Sequence, residues 1–566
     1  MSKSIFILAL LISSALSKIA DDKQTIQSFR AVYHPKIPYS ISGSAKLVEG
    51  KSTESVADQS EIKKLFPNTY GMPVLTFEPS NLDQKGEAIN VGVILSGGQA
   101  PGGHNVISGI FDGIKAINKK SKLYGFLNGP SGLVNHEYIE LTADIIDEYR
   151  NTGGFDIIGS GRTKLEEESQ FDKGLEICKK LGIKAIVIIG GDDSNTNACV
   201  LAEYYLQHKS GIQVIGVPKT IDGDLKNEMI ETSFGFDTAT KVYSEVIGNI
   251  ERDANSAKKY WHFIKLMGRS ASHVTLECAL KTQPNIALIG EEVEQKNQSL
   301  DDIVTYIATV VKNRADQGLN YGVALIPEGL IEFIPAIKRL IQELNDMIAA
   351  NQKEFDKISD NDKIKFISEH LSKENADLFK SLPETVSKQL ALDRDPHGNV
   401  QVSLIATESL LAEMVSKKLA QWKKEGKYNG KFSTQKHFFG YEGRCAAPSN
   451  FDADYCYSLG RVAALLIKSG KTGYMSSVRN LIKPAAEWIA GGIPITAMMN
   501  MEKRSGKMKP VIQKALVKLE GGPFKYFESK REEWAIKTDY KYPGPIQYWG
   551  PSEIVDITTE TMIHEH

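Results

Sequence analysis

At residues 190–198 the chain runs Gly-Gly-Asp-Asp-Ser-Asn-Thr-Asn-Ala, and this segment joins a predicted strand to a predicted helix. The apolar run 185–189 before it predicts a buried parallel strand, and residues 199–206 after it have helical character. A glycine pair at such a junction lets the backbone approach a ligand, and the helix N-terminus offers free N–H groups to an anion. Because two adjacent carboxylates repel an anion, a cation is expected there. Asp192 is the candidate ligand for Mg²⁺, the usual partner of a polyphosphate.

Composition sets broad limits on the class of protein. The chain has 566 residues, of which 41% are hydrophobic and 24% charged, as in ordinary globular proteins. Its length favours roughly three or four structural units. A formal net charge of −2 gives no overall attraction to nucleic acid or acidic membranes, so we expect neither as a partner. The five cysteines lack the spacing of metal ligands, which favours a reducing compartment.

The first residues carry a different signal. Lys3 precedes the apolar run 5–12, and Ala15-Leu16-Ser17 places small residues at positions −3 and −1 of a candidate cleavage site. This pattern is typical of a secretory signal peptide, and the alternative is a hydrophobic tail that packs or frays. Prolines interrupt the rest of residues 18–90, so we expect an extension wrapped over the core rather than an independent domain.

Strand–loop–helix units begin after this extension. Residues 91–95 predict a strand, residues 96–105 form a glycine-rich loop, and the apolar spacing over 104–118 predicts a helix. Such a unit is suited to holding phosphate, although glycines in a tight turn would give the same pattern. Residues 156–160 predict another strand end, and Arg162 just after it either reaches the same anion or is a solvated surface charge.

Further elements complete an α/β pattern. Strands are also predicted at 212–217, 263–266, 286–289, 323–326 and 437–439, and a helix at 454–468. Between them, residues 333–395 are rich in charged side chains with apolar residues at helical spacing, which predicts an amphipathic helical insertion. Candidate functional residues follow the strand C-termini, and this indicates doubly wound parallel sheets.

Asp222 and Asp224 lie on either side of a glycine in the loop 218–224. An Asx turn would explain them structurally. The chemical interpretation makes one a general base and the other a carboxylate on the metal side. Phosphoryl transfer to an alcohol needs a base, a metal on the donor and cations on the moving charge. Asp222, Asp192 with Mg²⁺, and Lys219 would supply these, so we favour catalysis over a structural role.

Five motifs then occur in order: GGDDS at 190–194, PKTIDGD at 218–224, MGR at 267–269, PEG at 327–329 and GYEGR at 440–444. Together they resemble the phosphofructokinases, specifically the long-chain, pyrophosphate-dependent branch, and the resemblance covers about residues 27–550. It implies an α/β fold with two doubly wound parallel-sheet (Rossmann-like) domains of phosphofructokinase type and a helical insertion. The expected parts are a tail and wrapping extension (1–90), a pyrophosphate- and Mg²⁺-binding domain (91–232), a fructose 6-phosphate-binding domain (233–332 plus 396–500), the insertion (333–395) and a C-terminal segment (501–566).

The resemblance also implies a reaction, the reversible Mg²⁺-dependent phosphorylation of fructose 6-phosphate to fructose 1,6-bisphosphate by pyrophosphate. Gly97 would contact pyrophosphate through its backbone, Asp192 would ligate Mg²⁺, and Asp222 would accept the proton of the sugar 1-hydroxyl. The residues expected to hold fructose 6-phosphate are Thr220, Met267, Gly268, Arg269, Glu328, Tyr441, Glu442, Gly443 and Arg444. Arg162 and Asp224 are further candidate substrate-binding residues.

The same resemblance bears on assembly and location. In the family a neighbouring subunit completes the sugar site from the segment before MGR, here Lys259 and Tyr260, which implies a homodimer or larger. The family is cytosolic and its substrates are cytosolic metabolites. We therefore expect a cytoplasmic enzyme whose first residues are an uncleaved tail, in spite of the signal-peptide pattern.

Two residues distinguish the phosphoryl donor. ATP-dependent relatives have glycine where Asp193 and Lys219 stand. A carboxylate at Asp193 would occupy the place of an α-phosphate and repel it, at a cost of several kcal/mol, on the order of like-charge contacts in interfaces. Lys219 adds a cation for the leaving phosphate. Both residues favour pyrophosphate, and we class them with Asp222 as catalytic.

Three alternatives remain open. The first is an ATP-dependent phosphofructokinase, which Asp193 and Lys219 disfavour. The second is another kinase with a GGD motif, acting on NAD or diacylglycerol, which would not need the MGR, PEG and GYEGR motifs together. The third is a non-catalytic regulatory subunit of a hetero-oligomer, which would be expected to have lost the acidic residues that this chain keeps.

Overall fold

The computed structural model describes residues 26–81, 85–394, 400–401, 404–504 and 507–566. The predicted signal peptide or tail at 1–17 lies outside the described residues. The strands are β1 (Ala45–Ser52), β2 (Pro73–Pro79), β3 (Asn90–Leu95), β4 (Leu123–Phe126), β5 (Tyr138–Glu140), β6 (Ile183–Gly190), β7 (Gln213–Pro218), β8 (Trp261–Leu266), β9 (Ile286–Ala287), β10 (Gly322–Pro327), β11 (Thr434–Phe439), β12 (Tyr474–Arg479), β13 (Ile489–Pro494), β14 (Met499–Arg504) and β15 (Lys507–Ile512).

The helices alternate with these strands along most of the chain. They span Ile26–Ala31, Tyr39–Ser42, Gln59–Leu65, Gly103–Ile117, Pro130–Asn135, Ala143–Tyr149, Glu168–Leu181, Asp192–Gln207, Phe236–Ala257, His273–Thr282, Gly290–Gln295, Leu300–Ala315, Leu330–Phe333, Pro335–Ala350, Gln352–Phe355, Asp360–His370, Lys373–Ser381, Glu384–Leu392, Thr407–Lys424, Tyr441–Arg444, Asn450–Lys468, Gly522–Ile536, Ser552–Val555 and Glu560–Glu565, with 3₁₀ turns at Ala485–Glu487 and Ile495–Met498. Within the described ranges, no helix is both long and apolar enough to span a bilayer.

The larger sheet has nine strands in the order β1-β2-β13-β12-β7-β6-β3-β4-β5. Its centre is parallel, from β12 through β7, β6 and β3 to β4, and the strands outside it are antiparallel. On β6, Val187 belongs to the core shared with helix Gly103–Ile117, and Ile188 belongs to the opposite core shared with helix Asp192–Gln207. Helices therefore cover both faces, which confirms the doubly wound fold.

The smaller sheet has four parallel strands in the order β11-β8-β10-β9. It is also covered on both faces: Ile264 of β8 packs into the core continuous with the first sheet, and Phe263 packs into a second core with helix Leu300–Ala315. The stretch expected to be an insertion is helical from Pro335–Ala350 to Glu384–Leu392, and Leu340 and Leu344 are fully buried in the second core.

One expected domain boundary differs in the structure. The stretch 396–500 was expected to belong to the sugar-binding domain, but β12 and β13 within it belong to the larger sheet. Helix Asn450–Lys468 returns the chain to that sheet by packing on helix Gly103–Ile117, where Gly109 and Gly460 let the two backbones approach closely. The wrapping extension likewise contributes β1 and β2 to the sheet edge.

Two local expectations also differ. Residues 156–158 form a turn, and residues 159–160 belong to no strand, so this stretch is not the predicted strand end. The side chains of Ile157 and Ile158 in this turn are buried, so they pack into the core without strand pairing. The helix predicted at 199–206 starts earlier, at Asp192. The prediction missed the first turns because their residues are polar and lack the apolar spacing on which it depended.

Candidate active site

A cleft of about 1310 Å³ lies between the two sheets. Its walls come from the loops that follow β3, β6 and β7 in the larger sheet and β8, β10 and β11 in the smaller one, the edge where ligands bind in parallel α/β folds. The sequence-predicted residues that line it are Gly97, Arg162, Asp192, Asp193, Lys219, Thr220, Asp222, Asp224, Met267, Arg269, Glu328, Tyr441 and Arg444.

The glycine-rich loop after β3 is shaped for close approach. Gly97 has φ +86° and donates its N–H to the Gly161 carbonyl at 2.9 Å, which brings Arg162 beside the loop. A Cβ at Gly97 would stand 3.2 Å from Lys219 Nζ, and one at Gly98 would collide with the Arg444 guanidinium. Cationic side chains from different strand ends therefore converge on this loop, as phosphate binding requires.

Lys219 is the most enclosed of these cations, with 6% of its surface exposed. Burial lowers its pKa to about 8, and the neighbouring Arg444 guanidinium acts in the same direction. Both desolvation and repulsion by Arg444 therefore make the charged form of Lys219 unfavourable in this cleft. An anion in the cleft would relieve this cost because it would pair with the buried charge.

Asp192 and Asp193 occupy the first turn of helix Asp192–Gln207, where the helix dipole stabilises negative charge. The Asp193 carboxylate lies 3.7 Å from Lys164 Nζ and is half exposed, whereas the Asp192 side chain is 23% exposed. The two neighbours therefore point to different surroundings within one cleft.

The acidic pair after β7 is held in a tight turn. Gly223 between the two has φ +76°, and the backbone N–H of Asp222 donates to Thr220 Oγ1 at 3.1 Å. Oδ1 of Asp222 is shielded from solvent and accepts no hydrogen bond from any described residue. Burial, reinforced by the charge of Asp222, raises the pKa of Asp224 to about 7. The turn therefore leaves one shielded carboxylate oxygen of Asp222 without a hydrogen-bond donor among the described residues.

The opposite wall joins the MGR, PEG and GYEGR segments. The N–H of Gly268 donates to Glu328 Oε2 at 2.9 Å, and Arg444 Nε donates to Met267 Sδ at 2.8 Å. Glu328 is 3% exposed, and burial raises its pKa. These contacts fix the wall as one unit, and Arg269 and Arg444 of this wall line the cleft.

The family model described as "Phosphofructokinase" matches residues 90–467. The chain belongs to the phosphofructokinase family. It is 62% identical over 540 residues to the pyrophosphate–fructose 6-phosphate 1-phosphotransferase of Porphyromonas gingivalis, covering 95% of this chain and 98% of that protein. It is 54% identical over 550 residues to the enzyme of the same name from Treponema pallidum, covering 95% and 96%.

The fold is also similar to that of a solved structure. The pyrophosphate-dependent phosphofructokinase of Nitrosospira multiformis superposes with a TM-score of 0.53 at 17% identity, over 83% of this chain and 97% of that one. At this identity the likeness concerns the fold alone. The two-sheet fold is thus that of a phosphofructokinase.

Some predicted residues of this phosphofructokinase do not line the cleft in the described part of the chain. Lys259 and Tyr260 precede β8, whereas Met267 follows it, so they lie at opposite ends of the strand. Gly443 is buried against the Tyr243 ring, which leaves no room for a Cβ. Their predicted roles need either a second subunit or an indirect contribution.

Glu442 and Gly268 are the other two that do not line the cleft in the described residues. Glu442 is exposed on the short helix Tyr441–Arg444. Gly268 acts through its N–H on Glu328 and has φ +132°, so its contribution is to the shape of the wall.

Three lysines of the C-terminal segment were not predicted from the sequence. Lys503, Lys509 and Lys514 line the cleft, although they lie almost 300 residues from the acidic pair. Lys509 pairs with Glu166 at 3.0 Å, and Lys514 lies 3.7 Å from Asp192 and 3.9 Å from Asp224. No motif marks them, and only the course of the β14–β15 hairpin brings them to the site.

Proposed function

We propose that this phosphofructokinase catalyses the reversible phosphorylation of fructose 6-phosphate at its 1-hydroxyl, with pyrophosphate as the donor. The observation that carries the donor assignment is the presence of both Asp193 and Lys219 in the cleft, beside the glycine-rich loop. The name of the 62% identical relative agrees with this assignment. The products are fructose 1,6-bisphosphate and phosphate.

The chemistry follows from the two walls. The proton of the sugar 1-hydroxyl moves to Asp222, whose shielded Oδ1 lacks a hydrogen-bond partner among the described residues. The hydroxyl oxygen then bonds to the transferred phosphorus while the bridging P–O bond of pyrophosphate breaks. Lys219 stabilises the charge that accumulates on the leaving phosphate. The glycine-rich loop donates backbone N–H groups other than that of Gly97, which bonds to the Gly161 carbonyl.

The donor set also fits Mg²⁺. The described residues contain no cluster of three or more metal-ligating side chains. Mg²⁺ needs none, since it is commonly held by one or two carboxylates together with substrate phosphates and waters. Asp192 would hold it, at the helix start nearest the donor. When bound, the ion would neutralise charge on the pyrophosphate oxygens.

Fructose 6-phosphate would lie along the opposite wall. Its hydroxyls would meet Glu328 on that wall and Thr220 across the cleft, and its phosphate would meet the guanidinium groups of Arg269 and of Arg444, which reaches from that wall to the glycine-rich loop. Lys259 and Tyr260 lie at the far end of β8 from this wall. We infer that the same two residues of a second copy complete the sugar site, which makes the working unit a homodimer or a larger assembly.

We also infer a cytoplasmic location. Both substrates are cytosolic metabolites, and all five cysteines are free thiols, as suits a reducing compartment. Intact-mass analysis of the protein from its native cells tests this inference. A retained N-terminus supports it, and a chain that begins near Lys18 overturns it.

Initial rates with fructose 6-phosphate and either pyrophosphate or ATP, with and without Mg²⁺, test the proposed function. We expect turnover with pyrophosphate, loss of turnover on chelation, and the reverse reaction from fructose 1,6-bisphosphate and phosphate. Faster turnover with ATP than with pyrophosphate would indicate an ATP-dependent enzyme. Absence of turnover with either donor, in a correctly assembled protein, would indicate a regulatory subunit.

A further inference from the structure

Lys514 lies on a segment whose backbone is fixed to both walls of the cleft. It follows the β14–β15 hairpin, and the next residue, Ala515, donates its N–H to the Asp224 carbonyl at 2.7 Å. The Ala515 carbonyl accepts a hydrogen bond from His273 Nε2 at 2.8 Å. Asp224 belongs to the wall that the larger sheet builds, here called the donor wall. His273 belongs to the helix after the MGR loop, on the wall that the smaller sheet builds, here called the sugar wall, so the lysine is anchored where the two walls meet.

The ammonium of Lys514 bridges the two walls. Nζ donates to Ser270 Oγ at 2.6 Å, next to Arg269 on the sugar wall. On the donor wall it lies 3.7 Å from Asp192 Oδ2 and 3.9 Å from Asp224 Oδ2. Both distances are longer than a direct hydrogen bond. Ser270 is its one hydrogen-bond partner among the described residues, and an ammonium has three N–H donors, so donors remain for a ligand.

Charge explains why a cation is needed at this point. A phosphoryl group that crosses from the metal-side carboxylate, Asp192, to the hydroxyl beside Asp222 passes a region lined by three carboxylates. The charge on its equatorial oxygens would be repelled there. Lys219 is placed at the glycine-rich loop, where the leaving phosphate stays, and Lys514 is placed between the carboxylates on the path of transfer.

We propose that Lys514 is a catalytic residue whose ammonium contacts the phosphoryl group while it passes from donor to sugar, a role that rests on the proposed function. Lys514 supplies charge and hydrogen bonds and keeps its proton. The P–O bond to the leaving phosphate breaks, the P–O bond to the sugar oxygen forms, and the hydroxyl proton goes to Asp222. The same contact serves both directions of the reaction, because both pass through one transition state.

Steady-state kinetics of Lys514→Met and Lys514→Arg test this role, with Lys518→Met as the matched control. Lys518 is an exposed lysine four residues further along and does not line the cleft. We expect Lys514→Met to lower kcat by about 10²–10³-fold in both directions, as for loss of one preorganised donor, with KM for fructose 6-phosphate within a few-fold. Lys514→Arg should recover part of the loss. A kcat within threefold of the unmodified enzyme overturns the proposal.

Chemical rescue distinguishes this catalytic role from a purely structural role, in which Lys514 only links the two walls. In Lys514→Ala, propylammonium supplies the missing atoms with their N–H donors, and tetramethylammonium supplies charge without donors. We expect saturable recovery of kcat with propylammonium only, and a melting temperature equal to that of Lys518→Met. Loss of activity with a lowered melting temperature and no rescue overturns the proposal. Failure of the unmodified enzyme to use pyrophosphate would instead contradict the proposed function.

Discussion

The position that a Cβ on Gly97 would occupy lies 3.2 Å from Lys219 Nζ, so the glycine-rich loop and the buried lysine meet at a single point. Gly97→Ala would add strain at φ +86° and displace the ammonium. We expect KM for pyrophosphate to rise about tenfold, equivalent to about 1.4 kcal/mol, with KM for fructose 6-phosphate unchanged. Gly43→Ala is the control, since nothing lies within 4 Å of its Cβ position. Equal KM values in the two variants would contradict this prediction.

Lys219 predicts an alkaline limit on activity. Burial lowers its pKa to about 8, so the free enzyme loses this cation as the pH rises through about 8 and keeps it below that value. The profile of kcat/KM for pyrophosphate should therefore fall above pH 8, because kcat/KM reports groups of the free enzyme. Lys219→Arg keeps its charge at all these pH values and should lose this limb. A limb that persists unchanged in Lys219→Arg would assign it to another group.

Substitution of Asp222 should lower kcat and leave substrate binding nearly unchanged. Removal of a general base costs roughly 10²–10⁴-fold in rate, so Asp222→Ser should lower kcat by at least that range. KM for fructose 6-phosphate should stay within a few-fold. Glu228→Gln, an exposed acidic residue further along the chain, is the control. Turnover within a factor of a few would make Asp222 a turn residue and place the base elsewhere.

The sequence was sufficient to place candidate site residues that directly follow the strands of the parallel sheet. Asp192, Lys219 and Asp222 follow β6 and β7, and the parallel arrangement of these strands brings them into one cleft as predicted. Local patterns were insufficient where long-range contacts decide. β12 has the sequence Tyr-Met-Ser-Ser-Val-Arg, which no apolar pattern marks as a strand, and only its pairing with Ile215 and Gly216 assigns it to the larger sheet.

The same reason accounts for the missed lysine. Lys514 carries no motif, and its place beside Asp192 depends on the path of the β14–β15 hairpin and on the hydrogen bond from Ala515 to Asp224. Residues 156–160 illustrate the reverse case, since burial of apolar side chains there requires no strand. The hydrophobic pattern of a sequence predicts which side chains are buried more directly than it predicts which backbones pair.

Hydrogen bonds to Glu203 hold the wrapping extension against the core, and their loss should lower stability. On helix Asp192–Gln207 this residue is 3% exposed, and its carboxylate accepts hydrogen bonds from the backbone N–H of Asn68 at 3.0 Å and from Thr69 Oγ1 at 2.9 Å. Glu203→Gln would turn an amide toward these donors, at a cost of about 1–3 kcal/mol in the free energy of unfolding. Urea denaturation measures it against Glu176→Gln, an exposed control. Equal stability of the two variants would make the contact dispensable.

Asp193 and Lys219 together predict a change of donor. On the proposed function, glycine at both positions would remove a carboxylate that repels an α-phosphate and a cation that serves the leaving phosphate. We expect Asp193→Gly with Lys219→Gly to weaken pyrophosphate use and to open measurable ATP-dependent phosphorylation of fructose 6-phosphate. The single variants are the controls: Asp193→Gly alone should admit ATP weakly, whereas Lys219→Gly alone should lower pyrophosphate turnover without admitting ATP. If the double variant leaves ATP wholly unused while it still binds fructose 6-phosphate, exclusion depends on the rest of the donor pocket and the charge argument at Asp193 is wrong.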